Sequence, residues 1–95
     1  MIIETAYTKN DTITIKTTAG EEVVGRFVEE DSTTITIEKP LALVATQQGV
    51  GLGPFGFTIP QNSKLKLNKS GLLFVHKTDA EMSKQYVQNT TGISL

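Results

Sequence analysis

Thr12-Ile13-Thr14-Ile15-Lys16 alternates polar and apolar side chains, and Thr34-Ile35-Thr36-Ile37-Glu38 repeats the pattern. A period of two places the isoleucines on one face of an extended chain and the threonines on the other, the mark of a half-buried strand. Residues 22–29 alternate less cleanly around Gly25 and Phe27. Ala19-Gly20-Glu21 and Glu30-Asp31-Ser32 supply the turn chemistry between these runs. Three strands joined by short turns make a meander. Composition agrees: 14 Thr, 8 Ile and 7 Val give 29 β-branched residues of 95. Branching at Cβ restricts χ1 and suits a pleated surface, so the expected class is all-β.

Beyond the meander, Pro40 lacks an N–H donor and marks an edge or a bulge before the extension Leu41-Ala42-Leu43-Val44-Ala45-Thr46. Residues 47–54, with Gly49, Gly51 and Gly53, read as a flexible loop or hairpin tip. Phe55-Gly56-Phe57-Thr58-Ile59 reads as a returning strand closed by Pro60. Lys64-Leu65-Lys66-Leu67 alternates again, Asn68-Lys69-Ser70-Gly71 is a turn, and Leu72 opens the last strand, through Lys77. That strand is apolar on both faces as far as Val75, which invites cover on two sides. A helix is expected over 78–90. Thr78 would be its N-cap, Glu81 would close a capping box, Met82, Tyr86 and Val87 would form its apolar stripe, and Gly92 would stop it. Residues 1–10 read as an extended N-terminal segment, and the whole of 1–95 as one domain, because two would each lack a core.

The same arithmetic narrows the chemistry. With no Cys and one His, disulfides, thiolate zinc sites and two-imidazole metal sites are excluded. No apolar run approaches a membrane span, and no charged-then-apolar leader opens the chain, so a cytoplasmic location is expected. Gly51-Leu52-Gly53-Pro54-Phe55-Gly56 spells a dinucleotide-binding fingerprint, but no helix pattern follows it. His76 lies on the face of Leu72 and Phe74 and reads as a partly buried hydrogen-bonding residue. Glu29-Glu30-Asp31 reads as a solvated acidic turn. No catalytic or metal residue and no cofactor is expected; the chain is not read as an enzyme.

Charge is uneven along the chain. Residues 1–38 carry eight acids against Lys9, Lys16 and Arg26, whereas residues 39–78 carry five lysines and no acid. Either a basic surface meets an anionic partner, or acidic and basic strands lie side by side and neutralise each other.

Ile13-x-Ile15, Gly20, Val23, Gly25 and Asp31, continued by Phe27 and Ile35-x-Ile37, resemble the first motif of the Sm/LSm family, the ring-forming RNA-binding proteins that include Hfq. The resemblance covers about 25 residues. It implies a small five-stranded, strongly bent open barrel (Sm-like or SH3-like) over 11–77, in which Gly25 lets the second strand bend. The chain departs from the family in four respects. The helix is at the C-terminal end, Thr33 and Ile35 stand where an aromatic or Met and an Asn are usual, and Asn68-Lys69-Ser70-Gly71 replaces the Arg-Gly turn. Such divergence resembles that of phage-encoded members.

By the same resemblance, the chain would form a homo-oligomeric ring through edge strands at Phe55-Gly56-Phe57-Thr58-Ile59 and Leu72-Leu73-Phe74-Val75. Single-stranded RNA, or less favourably DNA, would be held by Asp31, Ser32, Thr33, Asn68, Lys69, Ser70 and Gly71. Lys69 would meet phosphate, and Lys64, Lys66 and Lys77 would extend the basic surface. Without a stacking aromatic, affinity would lean on charge and fall steeply with salt. The main rival is a structural or protein-interaction barrel in an assembly such as a virion, without nucleic acid. A third is a small-ligand binder with the Gly-rich loop as a lid.

Overall fold

The computed structural model describes residues 7–56, 58–60 and 62–90. The alternating segments form the expected meander: β1 (Thr12–Thr17), β2 (Glu22–Glu30) and β3 (Thr34–Thr46), antiparallel in sequence order. Gly20 makes the first turn at φ +100°, where a Cβ would be strained. β4 (Gly49–Pro54) folds back on β3, β5 (Lys64–Asn68) pairs with β3 as well, and β6 (Leu72–Lys77) pairs with β1. A helix, α1 (Ala80–Thr90), ends the described chain.

The sheet is therefore six-stranded and antiparallel, and it is neither closed nor strongly curled. This corrects the five-stranded, strongly bent open barrel. The extra strand has a local cause at Lys39-Pro40. Lys39 takes φ +52° and Pro40 has no N–H, so the outer ladder of β3 is interrupted there. β5 pairs with residues 34–38 and β4 with residues 41–46, two short strands in line along one edge. At the far end, a single 3-10 turn, Lys69–Gly71, leads from β5 into β6; the two strands are not paired, so the ladder stays open.

Two further expectations along this edge give way. Residues 49–54 of the Gly-rich segment are a strand, because residues 41–46 offer it a complete antiparallel register. Residues 55, 58 and 59 are bends and not a returning strand; Phe57 lies outside the described residues. Gly56 sits in a tight corner, where a Cβ would lie 2.9 Å from Ile59 Cγ1.

The core has two parts. Ile13, Ile15, Val23, Phe27, Ile35 and Ile37 form one cluster, with Tyr7, Leu65, Leu67, Leu72 and Val75 packed against it. The four isoleucines are fully buried, each contributing roughly 1.5–3 kcal/mol relative to exposure. Gly25 faces this cluster: a Cβ there would stand 2.9 Å from Ile37 Cδ1 and 3.2 Å from Ile37 Cβ. It also falls where the β2–β3 register shifts, between Val24 and Arg26. Its missing side chain is space for Ile37.

The second cluster joins Val24 and Leu41 to Tyr86, with Leu43, Leu52 and Met82 around them. This is the seat of α1, which is too short to persist undocked. Tyr86 donates its hydroxyl to the carbonyls of Lys39, at 2.7 Å, and Glu38, at 3.1 Å, the acceptors beside the break in the outer ladder. Burial pushes its phenol up to about 12.

The helix start differs from the capping box. Asp79 is the cap, accepting from the Met82 N–H at 2.8 Å. Thr78 is buried one residue earlier, its hydroxyl 2.8 Å from that of Thr14 and its N–H donated to the Thr12 carbonyl. Tyr86 and Met82 hold the apolar stripe, while Val87 is 44% exposed. Gly92 and residues 1–6 of the N-terminal segment lie outside the described residues.

Candidate nucleic-acid interface

The β2–β3 turn is built by one carboxylate. Asp31 Oδ1 accepts the N–H of Thr33 at 2.9 Å, the N–H of Thr34 at 2.8 Å and the Thr34 hydroxyl at 3.0 Å. Donors aimed at the ionised form, the Thr33 N–H foremost, lower its carboxyl to about 2. Asp31 therefore remains charged and committed to the turn. Ser32 and Thr33 are left exposed at its tip.

The β5–β6 turn meets this one directly. Thr34 is in register with Asn68, and the Lys69 N–H donates to the Thr33 carbonyl at 2.8 Å. The Gly71 carbonyl accepts from the Thr18 N–H at 2.9 Å, so the same turn is tied to the β1–β2 connection. The two groups of site residues expected from the sequence, Asp31 to Thr33 and Asn68 to Gly71, thus form one cluster. Asn68 and Ser70 are exposed, while Lys69 and Gly71 are half-buried.

Two residues that sequence reasoning missed complete the cluster. Glu30 Oε1 lies 2.9 Å from Lys69 Nζ, both side chains being about one-third exposed. Tyr7 donates its hydroxyl to the same carboxylate, at 3.1 Å to Oε2 and 3.3 Å to Oε1. The Tyr7 ring stands edge-on to Phe27, with centroids 4.8 Å apart. Glu30 belonged to an acidic run with no local sign of a partner, and Tyr7 is separated from it by 23 residues. The pairing exists only in three dimensions.

The same principle governs charge elsewhere. Arg26 pairs with Glu38, and Lys77 Nζ lies 3.9 Å from Asp11. Two lysines of the lysine-rich half, Lys69 and Lys77, thus lie against acids of the acidic half, Glu30 and Asp11. Lys64 and Lys66 are exposed along β5, Lys64 opposite Glu38 in register. His76 is exposed and not half-buried, its Nδ1 2.7 Å from the Lys77 carbonyl. Among the described residues, no group of three His, Cys, Asp or Glu could hold a metal ion, and no helix is long and apolar enough to cross a membrane. Of two hollows beside the Gly-rich strand, the one lined by Pro40, Pro54, Phe55, Gly56, Ile59 and Pro60 has about 40 Å³, far below a typical ligand site. The other, against Val50 and residues 42–45, is an open surface hollow of about 500 Å³.

No family model matches the chain, and no curated protein matches it. Among solved structures, the chain is similar to a heptameric archaeal Sm protein described for its implications for the eukaryotic snRNP core. The TM-score is 0.52 at 11% sequence identity, over 74% of this chain and 88% of that one. The likeness is one of fold. It extends well beyond the 25 residues of the sequence motif, although the six-stranded open sheet differs from the expected barrel.

Proposed function

We propose that this chain is a non-enzymatic, Sm-like protein that binds single-stranded nucleic acid, RNA in preference to DNA, as a homo-oligomeric ring. The observation that carries the reading is the stitching of the β2–β3 and β5–β6 turns into one polar cluster, on a fold similar to that of an archaeal Sm protein. Ser32, Thr33, Asn68 and Ser70 offer hydroxyl and amide groups to bases and sugars, and Lys69 offers an ammonium to phosphate.

Assembly is supported by the open edges. β6 is bonded to β1 on one side only, and its Leu73 and Phe74 are 64% and 49% exposed. An edge of that kind invites strand addition, and head-to-tail addition forms a ring where the rotation between neighbours closes. β4 and β5 provide the opposite edge, in place of residues 55–59.

The test is an electrophoretic shift with short poly(A) and poly(U) at low and moderate salt. Binding should be measurable at low salt, and Lys69→Ala should weaken it and flatten its salt dependence. An unchanged isotherm removes Lys69 from the site. The rival reading, a protein-interaction module, draws on the Lys69–Glu30 pair, which neutralises the central cation. It expects no shift at any salt concentration.

A further inference from the structure

We propose that Tyr7 is a base-contacting residue of this cluster, its ring serving as a platform for one nucleobase of a single-stranded nucleic acid. The inference rests on the binding reading above and adds to it a residue that lies outside the meander. Among the described residues, Tyr7 is the aromatic side chain that bonds to a member of the cluster. Ile35, which follows the turn, is fully buried, and Phe27 is only 8% exposed.

Two tethers fix the Tyr7 ring while leaving it half-buried. One is the edge-on contact with Phe27, with an interplanar angle of 67°. The other is the hydroxyl's bond to Glu30, whose carboxylate also holds the Lys69 ammonium. Ring and cation are thereby placed around one carboxylate, a flat apolar surface beside a charged head. A ring already fixed loses little further freedom when a base settles on it.

Electrostatics makes the ring more important, not less. Glu30 offsets Lys69, and Asp31 stays ionised beside them. The charge that Lys69 offers a polyanion is thus partly offset, and stacking adds to it. Stacking is indifferent to that balance and to salt, and it tolerates any base.

The experiment compares two fluorescently labelled single-stranded probes of equal length, oligo(A) and an abasic sugar-phosphate oligomer, by anisotropy with the full chain. Wild type should prefer oligo(A). Tyr7→Leu should weaken oligo(A) binding roughly five- to 150-fold and erase the preference, with an unchanged salt slope. Tyr7→Phe, which keeps the ring, should retain most of the preference.

A second readout does not depend on Tyr7→Leu folding. The chain has two tyrosines and no tryptophan. Tyr86→Phe therefore leaves Tyr7 as the sole tyrosine, and its emission should be quenched by oligo(A) but not by the abasic probe. Equal wild-type affinity for the two probes, or a preference that survives in Tyr7→Leu, overturns the role of Tyr7 while leaving the binding reading intact. Failure of wild type to bind either probe overturns both.

Discussion

Replacing Gly25 by alanine tests the packing on which the sheet depends. The new Cβ would stand 2.9 Å from Ile37 Cδ1 and 3.2 Å from Ile37 Cβ, inside ordinary van der Waals contact, and Ile37 is fully buried. Overpacking of this kind costs about 1–3 kcal/mol, while the loss of glycine's freedom in the unfolded chain returns about 0.4–1 kcal/mol. The net destabilisation should lie between about zero and about 2.6 kcal/mol. For a domain of this size, that lowers the melting midpoint by at most about 20 °C. Thermal and urea melts at one fixed protein concentration measure it, since self-association would otherwise shift the midpoint.

The mechanism is then isolated by Ile37→Val, which deletes the Cδ1 atom in the closest contact. Alone it should cost about 0.5–1.5 kcal/mol; in the Gly25→Ala background it should cost little or nothing. The 3.2 Å contact to Cβ persists, so the rescue should be incomplete. Coupling of about 0.5 kcal/mol or more between the sites is expected. Additive effects of the two substitutions would refute the claim that Gly25 is there to admit Ile37.

Tyr86→Phe should cost roughly 1–3 kcal/mol in urea denaturation, because the Glu38 and Lys39 carbonyls lose their shared donor. The folded phenol titrates near 12 against 10 when unfolded, so its contribution is intact below pH 10 and is lost as pH rises from 10 toward 12. Up to about 2.7 kcal/mol of wild-type stability should disappear over that window, and the Phe variant should lack this part of the decline. Asp31 should titrate near 2 by NMR; its stabilising effect is present above its unfolded value and fades as pH falls through the folded one. A midpoint near 3.8 would mean that the turn is not held by its carboxylate. Asp79→Ala should cost about 0.5–2 kcal/mol in the same melts, and Thr78→Val should not mimic it through the cap, because the Met82 N–H is served by Asp79.

The sequence made the meander readable because each of its strands carries its own period and each turn its own residues. Ile13, Ile15, Ile35 and Ile37 announce their face without reference to anything distant. The sixth strand was harder to see. Gly49, Gly51 and Gly53 suggest a loop, and only the register offered by residues 41–46 turns them into β4. The interruption that divides the outer edge was half visible: Pro40 marks it, but the left-handed Lys39 beside it has no signature in an L-residue of that type. The barrel expectation failed for a related reason, since a glycine in a strand is equally consistent with a bend and with a close approach, and Gly25 provides the latter for Ile37. At the site, the two turns could be paired by family resemblance, whereas Glu30 and Tyr7 depend on contacts between distant segments that no local pattern encodes.

Native mass spectrometry of the chain with a short oligo(U) tests the account most directly, since one spectrum reports both assembly and ligand. The account predicts a species at an integral multiple of the 10.3 kDa subunit with one oligonucleotide bound, dissociating as ammonium acetate concentration rises. A lone 10.3 kDa monomer without nucleic acid at micromolar protein would contradict it.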